Sequence, residues 1–242
     1  MTIVPEPDGA IDQPESLGGG PSRVAAGAAA PSPLRIVHPH RDVDLVAAEQ
    51  AAAAFLSALG MDLSAESTQE TPRRMAAAYA EMFSPRPFDL TTFPNDQGYD
   101  ELVLARSIPV QSVCEHHLLP FIGVAHVGYL PGERIVGLSK LARVVEMFAR
   151  RPQVQERLTQ QVADWLQAEL SPRGVGVVIE AEHLCMSVRG VRSAGASTVT
   201  SALHGLLRDR PESRAEFLSL ATTGARQTSP PSPAAPATEP TE

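Results

Sequence analysis

The sequence predicts an α+β domain in which two helices precede an antiparallel sheet and a pair of helices is inserted between its strands. Segments with helical spacing of apolar residues come first, strand-like segments follow, and a long helical stretch separates the early strands from the late ones. Helices grouped apart from strands are typical of α+β domains, whereas α/β domains alternate the two. The chain shows no internal repeat.

Two helices open the folded part of the sequence. The first is predicted over residues 44–60, where Gly60 ends a run of apolar residues at three- and four-residue steps. That run comprises Leu45, Ala48, Ala52, Leu56 and Leu59. The second is predicted over residues 71–83, with Thr71 as the capping residue and Pro72 in the first turn. One face of this helix carries Met75, Tyr79 and Met82.

Two strands and two further helices form the middle of the sequence. Strand-like segments lie at residues 101–114 and 121–134. The helices are separated at Pro152 and occupy residues 139–151 and 152–170. The first of them has an apolar face and a basic polar side, formed respectively by Leu141, Val144, Val145 and Phe148 and by Lys140 and Arg143.

The last part of the folded sequence contains the clearest strand. Residues 174–186 alternate apolar and charged side chains, and the same alternation is expected to place His183 and Cys185 on one face of the strand. A further strand is predicted over residues 196–207, and a short helix over residues 211–221.

Composition confines the folded part to the middle of the chain. More than half of the 22 prolines lie in residues 1–40 and 230–242, and these ends contain few large apolar residues. Chains of that composition cannot bury enough apolar surface to offset their conformational entropy. We therefore expect disordered tails over residues 1–41 and 223–242 and one folded domain over residues 42–222.

Charge and hydropathy exclude several classes of partner. The formal net charge of −8 argues against nucleic acid as the main partner, although a phosphorylated small molecule needs only a local cluster of cations. No stretch approaches the ~20 consecutive apolar residues of a membrane span, and the start lacks a basic region followed by an apolar block. We expect a cytoplasmic protein with no membrane partner, whose two cysteines serve metal binding or catalysis.

Cysteine and histidine occur together at two places in the sequence. These are "CEHH" at residues 114–117 and "HLC" at residues 183–185, each at the end of a predicted strand. Thiolate and imidazole are preferred zinc ligands, and three protein ligands with an open fourth position are typical of a catalytic site. The two cysteines and one of the adjacent histidines would form such a set, which leaves other histidines for proton transfer. The spacing alone does not decide between His116 and His117.

Four long motifs occur in the order in which they are found in GTP cyclohydrolase I, and the chain resembles that family from about residue 42 to residue 220. The motifs are "TPRRMA", "SVCEHHLLPF", "GLSKLARVVEMFARRPQVQERLTQQ" and "EAEHLCMSVRGV". The resemblance implies the tunnelling fold (T-fold), in which antiparallel sheets of several subunits join into a barrel. It also implies that Zn²⁺ is bound by Cys114, His117 and Cys185, and that His116 and His183 are the catalytic histidines.

The reaction that the resemblance implies is hydrolytic opening of the guanine imidazole ring of GTP, with release of formate and formation of 7,8-dihydroneopterin triphosphate. Glu156, with Gln155 beside it, is expected to bind the N–H edge of guanine, because a carboxylate can accept from two donors. The triphosphate is expected to contact hydroxyl and cationic side chains, namely Arg74, Ser139, Lys140, Arg143 and Arg189. Because the family forms a ring of five subunits stacked on a second ring, we expect a homodecamer.

The chain departs from the family's pattern at one position. A lysine is common three residues beyond the last arginine of "TPRR", where this chain has Ala77. We expect either weaker triphosphate binding or a pocket that is closed differently. Glu115 is interpreted either as an acceptor that orients a histidine or as a plain strand-end acid. The histidines that accompany no candidate ligand are interpreted as structural or incidental: His38, His40, His126 and His204.

Two other interpretations of the cysteines are considered. In one, the chain is a binding module in which Cys114, His117, Cys185 and a fourth ligand hold zinc only to stabilise the fold. The surplus histidines and the cation cluster argue against it. In the other, a tunnelling-fold relative uses a cysteine as a nucleophile on a deazaguanine, which requires a free thiol. Metal analysis distinguishes these possibilities.

Overall fold

A computed structural model of the chain describes residues 36–37 and 43–222. In chain order the elements are β1 (Ile36–Val37), α1 (Leu45–Ala58), α2 (Thr71–Met82), β2 (Phe88–Asp89), β3 (Thr92–Pro94), β4 (Val103–Cys114), β5 (Pro120–Leu130), β6 (Arg134–Val136), α3 (Leu138–Ala149), β7 (Pro152–Gln153), α4 (Gln155–Leu170), β8 (Gly174–His183), α5 (Leu184–Ser187), β9 (Ser197–Gly205), α6 (Leu206–Asp209) and α7 (Pro211–Thr222). The α+β class, the two leading helices and the helical pair between strands are as predicted.

The predicted tails fall almost entirely outside the described residues. The C-terminal tail, residues 223–242, lies wholly outside them, as do most of residues 1–41. Within the N-terminal tail, however, Ile36–Val37 forms a strand that pairs antiparallel with Phe88–Asp89. The backbone groups of these two residues thus have partners in β2. Within the described part of the chain, none of the helices is long and apolar enough to cross a membrane.

Helices α1 and α2 pack against each other. Asp44 caps α1 by accepting a hydrogen bond from the backbone N–H of Ala47 at 2.9 Å, and Gly60 follows the helix end at a φ of +85°. The apolar face predicted for α1 is only partly buried, since the Leu59 side chain is 69% exposed. Helix α2 begins at Thr71 itself, so the prediction that Thr71 is the cap is wrong; Glu70 is the preceding cap residue.

The main sheet is mixed. Among the described residues it has five strands in the order β7-β4-β5-β8-β9, and the four long strands are antiparallel neighbours. At the edge, β7 pairs in parallel with the end of β4, where Cys114 lies opposite Gln153. The prediction of a purely antiparallel sheet is therefore corrected at this edge. The chain leaves α3, runs beside the end of β4 for two residues, and only then starts α4.

The strand β8 is shorter than predicted. It ends at His183, and Cys185 lies in the short helix α5, so the expectation that these two residues share a strand face is wrong. In the register, His183 is opposite Phe121, and the next partner along β5 would be Pro120. Proline has no backbone N–H to donate, so the ladder cannot continue there and the chain turns.

One face of the sheet is covered by α3 and α4, which form the main core. Fully buried aliphatic residues meet there from both layers: Leu141, Val144, Val145, Leu158, Val162, Leu166, Val175, Val177 and Ile179. Burying one such side chain contributes about 1.5–3 kcal/mol relative to leaving it exposed. The packed face therefore fixes how α3 and α4 lie against the strands that end at the cysteines.

On the opposite face, α7 packs against the sheet through Phe217. This ring is fully buried and lies over two glycines of neighbouring strands, Gly128 and Gly176. A Cβ atom added at Gly176 would lie 2.6 Å from the Phe217 ring. Only glycine lets the ring approach the sheet this closely.

Candidate active site

The first half of the site is the turn between β4 and β5. Cys114 is the last residue of β4 and is buried, whereas His116 and His117 are exposed in the turn. The turn is closed by a hydrogen bond of 2.8 Å from the backbone N–H of Leu118 to the carbonyl oxygen of Cys114. The Tyr79 hydroxyl of α2 donates to the Leu118 carbonyl at 2.9 Å, which ties α2 to this turn.

The second half of the site is the end of β8 and the turn of α5. Because β8 pairs with β5, the residues after His183 lie beside the β4–β5 turn. The ligand atoms of Cys114, His117 and Cys185 all lie within 4.8 Å of one another. The structure thus brings together the three residues predicted to bind the metal. Cys114, His117 and Cys185 are called the metal group below.

The donor types and spacing of this group are compatible with a tetrahedral metal site. Bonds of about 2.3 Å to sulfur and 2.0–2.1 Å to nitrogen place neighbouring ligand atoms roughly 3.4–3.8 Å apart. The Cys114 Sγ and the His117 Nδ1 are 3.9 Å apart, so small movements would suffice. Burial and the adjacent Cys114 thiol raise the pKa of Cys185 above its ordinary value. His116 also lies near Cys114, at 3.7 Å from Nδ1 to Sγ.

His183 is held in a fixed orientation beside the metal group. Its ring stacks on Phe121 with a centroid distance of 4.6 Å and an interplanar angle of 10°. The Nε2 atom lies 2.7 Å from the Oε1 atom of Gln155, within hydrogen-bond distance. Burial lowers the pKa of His183 below its ordinary value, while the charge of Glu156 acts in the opposite direction. A partly buried, oriented imidazole next to a carboxylate is suited to proton transfer.

Gln155 lies inside the protein rather than in an open pocket. Its side chain is 1% exposed. The Nε2 atom donates to the carbonyl oxygens of Ile179 at 3.0 Å and Thr198 at 2.9 Å, and it lies 3.1 Å from the Thr200 Oγ1. Both ends of its amide are engaged within the chain, and the expected contribution of Gln155 to substrate binding stays a prediction.

Glu156 is exposed at the start of α4. The parallel pairing of β7 with β4 positions Glu156, because this pairing holds the start of α4 beside Cys114. The backbone N–H of Glu115 also donates to the Gln153 carbonyl at 3.0 Å. The Glu115 carboxylate pairs with the Arg157 guanidinium. Glu115 therefore fastens the turn to α4, and in this structure its partner is an arginine rather than a histidine.

Most of the predicted phosphate-binding residues lie away from the metal group in the single chain. Ser139, Lys140 and Arg143 occupy the first half of α3, whereas its last residue, Ala149, contacts the end of β4 through the Ser112 hydroxyl at 2.6 Å. At ~1.5 Å of rise per residue, Lys140 is roughly 14 Å from that end along the helix axis.

The exposed Arg74 lies in α2, and Arg189 follows α5. The charge of Arg189 acts to lower the pKa of Cys185, although burial outweighs it.

Arg143 belongs to an ion-pair cluster around Glu146. Its Nη1 lies 3.2 Å from a carboxylate oxygen of Glu146, which also pairs with Arg86 at 2.6 Å and Arg150 at 3.5 Å. Burial alone would raise the pKa of Glu146, but the guanidinium groups of Arg86, Arg150 and Arg143 together hold it below its ordinary value. The cluster leaves an excess of positive charge on this side of α3.

Two of the histidines interpreted as structural or incidental lie apart from the metal group. His126 is buried on β5, and its Nδ1 lies 3.4 Å from the backbone N–H of Ser107. His204 pairs with Asp164 at 2.8 Å. The other two, His38 and His40, lie outside the described residues. Sequence reasoning missed Phe121 as the stacking partner of His183, and the only signal for it was the register of β5 against β8.

Comparison with known proteins identifies the family. The sequence model of the family described as GTP cyclohydrolase I matches residues 48–222. A GTP cyclohydrolase 1 of Streptomyces avermitilis is 57% identical over 178 residues, which are 72% of this chain and 88% of the relative. One from Mycolicibacterium paratuberculosis is 52% identical over 194 residues, 78% of this chain and 95% of the relative. One from Aquifex aeolicus is 52% identical over 178 residues, 74% of this chain and 97% of the relative. The resemblance read from the four motifs is confirmed, and the chain belongs to the GTP cyclohydrolase I family.

Proposed function

We propose that the chain hydrolyses the imidazole ring of guanine in GTP, releases formate and forms 7,8-dihydroneopterin triphosphate, the first step of folate and pterin biosynthesis. The observation that carries this proposal is the convergence of Cys114, His117 and Cys185 beside His183 and Glu156. A metal-binding group, a proton carrier and a carboxylate for the guanine edge thus meet at one end of the sheet. Membership of the GTP cyclohydrolase I family supports the same activity.

Zinc is the metal that we propose for the group of two cysteines and one histidine. Thiolate and imidazole are the ligands that zinc prefers, and a set of three leaves a fourth position for water or substrate. When bound, zinc would supply the Lewis acidity that makes water a nucleophile near neutral pH. Cys114, His117 and Cys185 would hold that ion at the C-terminal end of β4, beside the exposed β4–β5 turn.

His183 is proposed to donate a proton to the imidazole part of the purine while water attacks C8. Protonation of a ring nitrogen makes C8 more electrophilic, and the proton carrier must be fixed in orientation to do this efficiently. Stacking on Phe121 and the contact with Gln155 provide that fixation. His116, exposed in the turn beside Cys114, is proposed to carry protons in the later steps.

Glu156 is proposed to select guanine. Its carboxylate can accept from the two N–H groups on one edge of guanine, an edge on which adenine offers no matching pair of donors. Unpaired polar groups in a pocket built for two donors would reject adenine strongly. The position of Glu156 in the first turn of α4 supports this role, because the turn lies beside both Cys114 and His183.

We propose that the triphosphate-binding residues act across a subunit boundary in a homodecamer with T-fold barrels. The position of Lys140 and Arg143 along α3, away from the metal group of their own chain, supports this arrangement. So do exposed apolar side chains on β9 and α1, where Val199 is 59% and Phe55 is 55% exposed. An open edge such as β9 invites pairing with another strand. Light scattering should find the decamer, and a fully active monomer would contradict this assignment.

The proposed reaction is tested with purified protein and GTP. Zinc content is measured first, and then formate and the fluorescent oxidised pterin are followed over time, with ATP as the control substrate. We expect stoichiometric zinc and equal yields of formate and pterin from GTP, with neither product from ATP. Protein that holds zinc and remains assembled yet releases no formate from GTP would refute the proposal.

A further inference from the structure

The amide of Gln155 can adopt only one orientation in the structure. One end of the amide lies within hydrogen-bond distance of the carbonyl oxygens of Ile179 and Thr198, at 3.0 and 2.9 Å. Carbonyl oxygens only accept hydrogen bonds, so the group between them must be the NH₂ of Gln155. The other end, which faces His183, must therefore be the oxygen Oε1.

The hydroxyl groups around Gln155 agree with this orientation. Thr159 Oγ1 donates to the backbone carbonyl of Gln155 at 2.8 Å, and it lies 2.6 Å from Thr200 Oγ1. Since Thr159 has one hydrogen and has used it, Thr200 must donate its own hydrogen to Thr159. The Thr200 oxygen can then face the NH₂ of Gln155 as an acceptor, 3.1 Å away, and share one of its two hydrogens with a carbonyl oxygen. Every donor in this chain of bonds meets an acceptor.

The orientation of Gln155 decides which nitrogen of His183 carries hydrogen. Oε1 can only accept, and the His183 Nε2 lies 2.7 Å from it, so Nε2 must be the protonated nitrogen. The opposite tautomer would set two lone pairs against each other in a partly buried contact. We infer that Gln155 is a positioning residue that holds the His183 ring in one orientation, with the Nε2–H group directed at its amide oxygen.

This inference rests on the proposed function, in which His183 carries a proton. The contact of Nε2 with Gln155 and the stack on Phe121 hold the ring in one orientation, so the ring need not flip between rounds of reaction.

The tautomer can be measured independently of activity. The full-length, zinc-loaded protein is labelled with nitrogen-15 histidine, and the signals of His183 are identified by their loss in His183→Ala. We expect one Nε2 signal of the protonated type and one Nδ1 signal of the unprotonated type. In Gln155→Met, which is similar in length but offers no amide oxygen, we expect both tautomers. A protonated Nδ1 in the neutral ring of the wild type would overturn the inference.

Kinetics separate positioning from substrate binding. For Gln155→Met we expect kcat for GTP to fall about 10- to 100-fold, part of the roughly 100- to 10,000-fold typical of a positioned proton donor. KM should stay within about threefold, because the side chain makes its contacts inside the chain. The matched control is Thr200→Val, which removes one acceptor but keeps both carbonyls, and its kcat should change less than about threefold. A rise in KM at unchanged kcat would show that Gln155 binds substrate instead.

A double-mutant comparison tests whether Gln155 acts through His183. In a His183→Ala background, Gln155→Met should change kcat by less than about threefold, because the residue that it positions is gone. An equal loss in both backgrounds would overturn the inference. If the wild type shows the Nε2–H tautomer but Gln155→Met and His183→Ala both retain full activity, the role of His183 in the proposed function fails while the tautomer assignment stands.

Discussion

Replacing His183 with alanine should reduce activity far more than it reduces zinc binding. If His183 is the proton donor, formate release should fall roughly 100- to 10,000-fold, which corresponds to about 2.7–5.5 kcal/mol of transition-state stabilisation. The proposed zinc ligands Cys114, His117 and Cys185 are all retained in this variant, so zinc content and assembly should be unchanged. GTP should still bind, because the proposed contacts to guanine and phosphate are made by other residues.

The same variant should also be less stable, and the size of the loss follows from the two contacts that the His183 ring makes. The stack on Phe121 contributes about 0.5–1.5 kcal/mol beyond its buried area. Loss of the hydrogen bond leaves the Gln155 oxygen without its partner, at a cost of about 1–3 kcal/mol. We therefore expect the free energy of unfolding to fall by about 1.5–4.5 kcal/mol, with the enzyme still folded.

The assay combines zinc analysis, denaturant unfolding and formate release from GTP on the same preparation. The control is His204→Ala, whose side chain pairs with Asp164, a residue that is 55% exposed. Exposed pairs of this kind contribute about 0.5 kcal/mol or less, and activity should be unchanged. Near-full formate release by His183→Ala, or an inactive variant that has simply lost zinc, would refute the reasoning.

Three further changes test other parts of the structure. Ala77→Lys should lower KM for GTP with little change in kcat, because Ala77 is exposed on α2 and an added phosphate contact far from C8 contributes uniform binding; an unchanged KM would mean that the existing cations suffice. Glu146→Gln should lower stability by about 1 kcal/mol at pH 7 after discounting for solvent exposure. Because the folded-state pKa of Glu146 is depressed, the gap to wild type should persist above its unfolded pKa and close as pH falls through the folded pKa; a pH-independent gap would contradict this. Gly176→Ala should cost about 1–3 kcal/mol through its clash with Phe217, and Phe217→Leu in the same chain should recover part of the loss; an unchanged unfolding midpoint of the single variant would contradict the packing.

Much of the architecture was predictable because an element that buries one face carries apolar residues at regular spacing. Strands β4, β5, β8 and β9 and the helical pair α3 and α4 follow from apolar spacing. The end of β8 was not predictable from its own residues, since the alternation continues through Cys185. It is decided by the partner strand, where Pro120 prevents further pairing.

The candidate site was predictable where residue type alone restricts the chemistry. Cys114 and Cys185, each near a histidine, indicated a metal group, and the structure brings both together with His117. Gln155 was different, because glutamine is equally suited to bind a substrate or to fill an internal hydrogen-bond network. Its surroundings, two carbonyl oxygens from separate strands, depend on tertiary packing that no local pattern encodes.

The pairing of β5 with β8 has a consequence for how the protein matures. Cys114 and His117 lie far before Cys185 in the sequence, and the β5–β8 pairing is what places the end of β8 beside them. A chain in which this pairing has not formed would offer the proposed zinc site an incomplete ligand set. Metal that binds the native state alone shifts the folding equilibrium by mass action, so, if the proposed site holds zinc, added zinc should raise the yield of folded enzyme.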